Sequence, residues 1–155
     1  MGGVPMKWVW ASLWCLLAAA SVPAGEPVAA AGDAGPEVVV EGLLDAFNRH
    51  DVDAMLAWMA PDVRWVQVDN ATAGTSFETV GHEEMRKGMA GYFKAIPSAR
   101  STLRFLSAGE RTVFAIEEAS WEREGERRSQ CSVASYEIID GKVATVWYGP
   151  AQPCD

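Results

Sequence analysis

Residues 46–65 decide the fold, and they read AFNRHDVDAMLAWMAPDVRW. An apolar helical stripe ends in this stretch at the polar residues 48–50. Asp51 then provides an N-cap for a second short helix, because its carboxylate can accept a hydrogen bond from a backbone N–H in the first turn. Pro61 ends that helix, and the alternation that begins at Val63 predicts a strand. The stretch therefore predicts two consecutive helices that lead into a sheet.

The flanking sequence extends this pattern in both directions. Pro36 suits the first position of a helix, and apolar residues recur from there at helical spacing. A third helix is predicted over residues 81–96. Beyond it the apolar period changes to two, which predicts four strands, at 101–107, 112–122, 127–139 and 143–148. Three helices and an antiparallel meander predict an α+β fold, in which helices pack on one side of a sheet.

The composition excludes some classes of protein. The 155 residues carry a formal net charge of −8 and are 49% hydrophobic. A chain of this length and hydrophobicity can bury a core of its own and is not expected to be disordered as a whole. A nucleic-acid partner is not expected, because phosphate groups require a basic surface.

The N-terminus has the features of a secretory signal peptide. Lys7 precedes an apolar run over residues 8–22, and small residues around Ala24 allow cleavage before Gly25. The run is shorter than the ~20 residues that span a bilayer, which favours a signal peptide over an uncleaved membrane anchor. We therefore predict a secreted or periplasmic protein with a signal peptide over residues 1–24, a disordered segment over 25–35 and a single domain over 36–155.

Two cysteines, Cys131 and Cys154, remain after removal of the signal peptide. In the predicted final hairpin, Cys131 lies opposite position 150, four residues before Cys154. A short return of the chain would bring the two sulfur atoms together, and exported proteins commonly contain disulfides. We predict a Cys131–Cys154 disulfide that holds the C-terminal tail against the sheet, and two free thiols are the alternative.

Several short motifs, taken in their order along residues 36–149, resemble those of a known superfamily. They are Phe47-Asn48, Asp51-Val52-Asp53, Pro61-Asp62, Gly81-His82-Glu83-Glu84-Met85-Arg86 and Asp140-Gly141. The chain resembles the nuclear-transport-factor-2-like superfamily and its SnoaL-like branch, which includes polyketide cyclases and ketosteroid-isomerase-like proteins. The resemblance implies a cone-shaped, curved sheet wrapped around the helices, with a pocket at the open end. It does not fix the function, because this fold serves several activities as well as binding alone.

The resemblance also implies positions for the catalytic groups of a steroid isomerase. Gln67 occupies the position of the general base and Leu43 that of the tyrosine. Ala134 or Ser135 occupies the position of the second acid. These side chains cannot replace an aspartate base and an oxyanion hole, so a steroid-isomerase mechanism is not expected.

Three other carboxylates are candidates for proton transfer. Asp69 shares a strand face with Gln67, near the expected mouth of the cavity. Glu117 and Glu118 interrupt an apolar strand, and neighbouring strand residues face opposite sides, so one of them is expected to point inward. A buried glutamate needs a partner or a raised pKa. An ion pair with an arginine is the structural alternative.

Aromatic residues outline a candidate ligand pocket. If Ile139 pairs with Lys142 across the Asp140-Gly141 turn, the same register places Trp147 opposite Ala134 and on the face of Tyr136. We predict a pocket lined by Trp65, Gln67, Tyr136 and Trp147, with Trp121 as a further candidate. The alternative is that the tryptophans only fill the core. The sequence has no metal-ligand spacing and no cofactor motif, so neither a metal nor a cofactor is expected.

Three functions are consistent with these features. The first is an exported module that binds a small apolar or amphipathic molecule in an aromatic-lined cavity. The second is a small-molecule isomerase, cyclase or hydratase that uses Asp69, Glu117 or Glu118 together with Tyr136. The third is an interaction module that forms a homodimer through the exposed face of its sheet.

Overall fold

A computed structural model describes residues 35–68 and 76–154 of the chain. The predicted signal peptide, residues 25–34 and the candidate Asp69 lie outside the described residues. The helices are α1 (Pro36–Asn48), α2 (Val52–Ala57) and α3 (Gly81–Ala95). The strands are β1 (Met59–Val68), β2 (Ser76–Val80), β3 (Arg100–Ala108), β4 (Thr112–Arg123), β5 (Glu126–Ile139) and β6 (Lys142–Tyr148).

The described strands form one curved, unclosed sheet in the order β2-β1-β6-β5-β4-β3. Neighbouring strands are antiparallel except β1 and β6, which are parallel. The predicted α+β class is therefore confirmed. The sheet buries one face against the helices, and we call this the inner face; the opposite face is the outer face.

The stretch 46–65 positions the helices through its polar residues. The Asp51 side chain accepts a hydrogen bond from the Ala54 backbone N–H at 2.9 Å and caps α2 as predicted. The Asn48 side chain both donates to the Ser101 carbonyl and accepts from the Ser101 N–H, each at 2.8 Å. Asn48 thus fixes the end of α1 to the start of β3.

One glycine allows α1 and α2 to pack closely. A Cβ atom added at Gly42 would lie 2.5 Å from the ring of Trp58. Only glycine leaves room for this ring without moving the helices apart. The core between helices and sheet is built from aliphatic and sulfur-containing side chains, including Leu43, Met55 and Met85, all 1% exposed or less.

Pro61 does not end α2 as predicted, because the helix ends at Ala57 and Pro61 lies inside β1. The structure also differs from the sequence-based expectation in two other places. First, β2 pairs with β1, whereas the sequence predicted no strand between β1 and α3. Its side chains are mostly exposed, so the sequence shows no clear inward-facing alternation there. Second, the pairing of β5 with β6 follows the predicted register only for Ile138–Val143 and Ile139–Lys142. A register irregularity follows, and the next pair is Glu137–Thr145.

Candidate functional site

A cavity of about 520 Å³ lies between the inner face of the sheet and the helices. Helices α1, α2 and α3 contribute Leu43, Leu44, Phe47, Met55, Met89 and Tyr92 to its wall. The sheet contributes Trp65, Glu117 and Tyr148, among others. The wall also includes the polar side chains of Gln67, Ser101, Gln130 and Ser132. The wall is mostly apolar on the side of the helices and carries most of its polar groups on the sheet, and small-molecule sites combine both kinds of surface.

The predicted ligand-binding residues are divided between the cavity and other places. Trp65 and Gln67 line the cavity. Tyr136 is completely buried behind the cavity wall and is not one of its lining residues. Trp121 lines a separate, more open groove of about 580 Å³ near the start of β3. The predictions for Tyr136 and Trp121 as wall residues of this cavity were therefore wrong.

The prediction for Trp147 was also wrong, and the register shift is the physical reason. Because the shift adds one residue to β6, Trp147 lies opposite Ser135 and Tyr148 lies opposite Ala134. Trp147 therefore points to the outer face, where 42% of it is exposed. Tyr148 takes the inward position, beside Gln67 and the ring of Trp65 at a centroid distance of 5.2 Å. The chamber thus persists with a tyrosine in place of the predicted tryptophan.

Glu117 is the inward-facing member of the glutamate pair, and three hydroxyl groups surround its carboxyl. The Ser101 hydroxyl donates to Oε2 at 3.1 Å, and the Tyr136 hydroxyl donates to Oε1. The Tyr148 hydroxyl lies 3.2 Å from each carboxyl oxygen and 2.7 Å from the Tyr136 hydroxyl. Only 5% of Glu117 is exposed, so the polar cluster is largely shielded from water.

Five elements position this cluster. Asn48 at the end of α1 holds the backbone of Ser101, which lies on β3. Glu117 lies on β4, Tyr136 on β5 and Tyr148 on β6, and the inter-strand pairing, including the register shift between β5 and β6, directs their side chains to the inner face. The cluster is therefore fixed by secondary structure and not by a loop.

Burial controls the ionisation of the cluster. Loss of solvation raises the pKa of Glu117, although the hydrogen bonds from Tyr136, Ser101 and Tyr148 act in the opposite direction. Burial, together with the charge of Glu117, also raises the pKa of Tyr148 well above its ordinary value. The phenols are therefore neutral at physiological pH, and the carboxyl is biased towards its protonated form.

Glu118 faces the outer side of the sheet and has a different environment. The Arg104 guanidinium donates to its Oε2 at 2.7 Å, and Arg127 lies 3.9 Å from its Oε1. Burial alone would raise the pKa of Glu118, but hydrogen bonds from Arg104 and Ser129 and the charges of both arginines outweigh it and lower the pKa. Glu118 thus forms the structural ion pair that was the alternative interpretation of this pair of glutamates.

The disulfide holds part of the cavity rim. Cys131 and Cys154 are bonded, which is the pair predicted from the sequence. Cys131 and Gln152 also exchange two backbone hydrogen bonds of 2.8 Å, so the tail runs antiparallel to β5 for a short distance. Gly149 and Ala151, which belong to this tail, line the cavity. The tail therefore forms part of the chamber wall.

Sequence reasoning missed the roles of Tyr148 and Ser101. Tyr148 could have been found only by allowing for a bulge, for which the sequence Val143-Ala144-Thr145 gives no signal. Ser101 appeared only as the first residue of a predicted strand. Its approach to Glu117 depends on the pairing of β3 with β4, which places Ser101 and Glu117 on the inner face of neighbouring strands.

The described residues hold neither a metal-binding cluster nor a helix that could cross a bilayer. In the described ranges, no group of three or more His, Cys, Asp or Glu side chains is arranged to hold a metal ion. None of the helices in these ranges has the length and hydropathy needed to cross a bilayer. The indole N–H of Trp65 is buried at the cavity wall and has no hydrogen-bond partner among the described residues.

Residues 40–146 match the sequence model of the SnoaL-like domain. The chain belongs to the SnoaL-like domain family. This confirms the resemblance inferred from the motifs around residues 46–65. A search of curated protein sequences gives no match for this SnoaL-like chain.

Solved structures agree with this assignment at the level of the fold. The protein TerC, co-crystallised with polyporic acid, is 19% identical with a TM-score of 0.63, over 73% of this chain and 88% of that chain. An NTF2-like protein from Burkholderia pseudomallei is 21% identical with a TM-score of 0.62, over 73% and 88% of the two chains. A proposed polyketide cyclase from Xanthomonas campestris pv. campestris is 22% identical with a TM-score of 0.55, over 73% and 89%.

Proposed function

We propose that this SnoaL-like chain binds a mostly apolar small molecule and orients one polar oxygen of that molecule towards Glu117 and Tyr148. The observation that carries the proposal is the position of these two side chains in the wall of an otherwise largely apolar cavity. The cavity volume, about 520 Å³, lies within the range of small-molecule sites. The ligand of TerC, polyporic acid, supports the use of this fold for small-molecule binding.

The lining residues favour a ligand without a permanent negative charge. None of the described residues that line the cavity is Lys, Arg or His. An anionic carboxylate or phosphate would therefore lose its hydration without gaining a counter-charge, which is costly. The N–H of Trp65, which has no hydrogen-bond partner among the described residues, offers a second donor at the wall, which a ligand oxygen can satisfy.

Fluorescence quenching tests this proposal, because Trp65 belongs to the cavity wall. The purified protein would be titrated with a panel of apolar ketones, phenols and alcohols. For a compound that binds, Tyr148→Phe is expected to weaken binding by about tenfold through the loss of one hydrogen bond. Glu118→Gln, on the outer face, is the matched control and is expected to bind like the wild type. Quenching by no member of the panel, or equal weakening in both variants, would contradict the proposal.

A second candidate function is proton transfer on the bound molecule, as in an isomerase, cyclase or hydratase. The specific observation in its favour is the carboxyl of Glu117, which is buried, faces the cavity and contacts two phenols. The similarity to a proposed polyketide cyclase is consistent with such chemistry. Asp69 remains a further candidate base. Once a ligand that is turned over has been found, Glu117→Gln should abolish turnover while binding persists.

Export is part of the same proposal. The signal-peptide pattern over residues 1–24 and the disulfide between Cys131 and Cys154 both favour an oxidising compartment outside the cytoplasm. Expression of the full chain in a bacterium, followed by N-terminal sequencing of the periplasmic or secreted fraction, tests this. A start near Gly25 is expected, and a product that retains Met1 in the cytoplasm would contradict export.

We also propose that the protein forms a homodimer through its outer face. Five large apolar side chains are exposed there on adjacent strands, and we call them the outer patch: Phe105, Phe114, Ile116, Val133 and Trp147. Contiguous exposed apolar surface of this kind often marks an interface. Light scattering is expected to give twice the monomer mass for the wild type and a monomer for Ile116→Lys. A monomeric wild type at micromolar concentration would contradict the dimer.

A further inference from the structure

The oxygen atoms around Glu117 form four close oxygen–oxygen contacts. The hydroxyl groups supply only three hydrogens to bridge them. Ser101, Tyr136 and Tyr148 supply three hydroxyl hydrogens in total. The contacts to be filled are Ser101 to Oε2, Tyr136 to Oε1, Tyr136 to Tyr148, and Tyr148 to the carboxyl. With an ionised carboxyl, one of these contacts would bring two oxygen atoms together with no hydrogen between them.

Each of the three ways of distributing these hydrogens leaves one unfavourable contact. If Tyr136 donates to Tyr148 and Tyr148 to the carboxylate, the Tyr136 oxygen contacts Oε1 without a hydrogen. If Tyr136 and Tyr148 both donate to the carboxylate, the two phenol oxygens face each other at 2.7 Å without a hydrogen. If Tyr148 donates to Tyr136, the Tyr148 oxygen lies 3.2 Å from both oxygens of a negative carboxylate, again without a hydrogen. A fourth hydrogen on Glu117 removes the conflict, because Tyr136 then donates to Oε1, Tyr148 to Tyr136, and Glu117 to Tyr148.

We propose that Glu117 is protonated in the resting protein and that it passes this proton through Tyr148 to an oxygen atom of a bound ligand. The first part concerns the protein alone, and the second part rests on the proposed function of the cavity. Tyr148 is the group suited to the transfer, because it contacts Glu117 and also lines the chamber. Tyr136 is fully buried and acts as a positioning residue.

The transfer involves one proton and no oxidant or reductant. The Tyr148 hydroxyl turns from Tyr136 to an anionic ligand oxygen, such as that of a phenolate or an enolate. Its O–H bond breaks as the ligand O–H bond forms, and the Tyr148 oxygen takes the proton of Glu117. The negative charge then rests on Glu117, where the hydroxyls of Ser101 and Tyr136 stabilise it by donating to its two oxygens. These donors explain why a buried carboxyl is surrounded by hydroxyl groups.

The surroundings of Glu117 favour a neutral resting state. The titratable groups that face it are Tyr136 from β5 and Tyr148 from β6, with Tyr92 of α3 in the wall of the same cavity. Arg104 and Arg127 interact with Glu118 on the opposite face of β4. The direction of the Glu117 pKa, raised by burial, agrees with the count of hydrogens.

Infrared spectroscopy tests the stored proton without any ligand. At neutral pH, the C=O stretch of a protonated carboxylic acid is expected in the wild type and in Glu118→Gln, and not in Glu117→Gln. In Tyr148→Phe the band should persist at a different frequency, because the acceptor of the Glu117 proton has been removed. If Glu117→Gln fails to fold, the spectra of Tyr148→Phe and of the wild type still decide whether Glu117 is protonated. A wild-type spectrum without the band would overturn the proposal, whatever the ligand is.

A matched pair of probes tests the transfer. Para-nitrophenol can take a proton from Tyr148, whereas para-nitrobenzoate is too weak a base to do so. The phenol is expected to bind at least about tenfold more tightly, with loss of the phenolate absorption band on binding. Tyr148→Phe should remove this spectral change. Equal or tighter binding of the benzoate, no binding of either probe, or a bound phenol that remains ionised would contradict the transfer. The infrared band would still decide separately whether the proton is stored.

Discussion

Strand β4 carries two adjacent glutamates that are almost equally inaccessible to solvent and face opposite sides of the sheet. Glu117 is 5% exposed and Glu118 is 6% exposed, but Glu117 lies in the core, whereas Glu118 lies at the surface under exposed arginine side chains. Within the described part of the chain, the Glu117 carboxyl has only hydroxyl groups as hydrogen-bond partners, and burial raises its pKa. Glu118 contacts arginines, and its pKa is lowered in spite of burial. The comparison teaches that low solvent accessibility alone does not decide whether a carboxyl carries a charge, because its depth and its partners also shift the pKa.

The two faces of the sheet also differ in whether basic side chains lie near these glutamates. The inner face encloses a chamber whose described lining residues include no basic side chain. The outer face holds Arg104 and Arg127 beside Glu118, and the outer patch lies on the same side. A strand that alternates between these environments can thus carry a proton donor on one side and a structural ion pair on the other.

The largest expected effect concerns the disulfide that joins the tail to the sheet. Cys131→Ser combined with Cys154→Ser should lower the free energy of unfolding by about 3 kcal/mol, because the unfolded chain gains the entropy of an open loop. The bonded residues are 23 positions apart. Urea denaturation of wild type and variant measures the difference. A loss below about 1 kcal/mol would show that the backbone pairing of Cys131 with Gln152 holds the tail by itself.

An intermediate effect is expected at Tyr136, where the inner cluster depends on a hydroxyl group. Tyr136→Phe should lower the free energy of unfolding by about 1–2 kcal/mol, because it removes a buried hydrogen bond and leaves Glu117 and Tyr148 with one partner fewer. Tyr92→Phe, in the wall of the same cavity, is the control and should change stability by less than about 0.5 kcal/mol. Equal losses in both variants would show that the Tyr136 hydroxyl is not part of a special cluster.

The smallest effects are the pH dependences of the two glutamates, which should have opposite signs. The native pKa of Glu117 is raised, so its stabilising contribution is present below the ordinary value of 4.5 and is lost as the pH rises through the native pKa. The wild type should therefore lose stability relative to Glu117→Gln as the pH rises above 4.5.

For Glu118 the native pKa is lowered, so its contribution is present above 4.5 and is lost as the pH falls through the native pKa. The wild type should accordingly gain stability relative to Glu118→Gln as the pH rises towards 4.5 from below. Denaturation of the three proteins over a series of pH values measures both slopes. Slopes of the same sign would remove the distinction between the two faces.

The sequence was sufficient for most of the fold. The cap Asp51 and the turn Asp140-Gly141 are local signals, and the helix and strands that they delimit are present, whereas Pro61 lies inside β1 and ends no helix. The inward position of one of the two glutamates also followed from strand alternation alone. The predicted register of β5 and β6 was partly wrong. It still placed Cys131 close enough to Cys154 for the disulfide to be predicted correctly.

The site required information that is not local. Compared with the predicted register, the shift next to Ile138 places Trp147 on the outer face and Tyr148 on the inner face. The sequence around Ala144 does not indicate this shift. The contact of Ser101 with Glu117 joins two strands, and its geometry depends on Asn48 in a helix far away in sequence. Single-residue slips of this kind leave the fold intact and change which side chain enters the cavity.

The most direct test of this account is a carbon NMR titration of protein labelled at the glutamate carboxyl carbons, with Glu117→Gln and Glu118→Gln used to assign the two signals. The account predicts that Glu117 titrates above the ordinary pKa of 4.5 and Glu118 below it. If Glu117 also titrated below 4.5, its carboxyl would be ionised in the resting cavity. The proposed donor of protons to the ligand would then not exist.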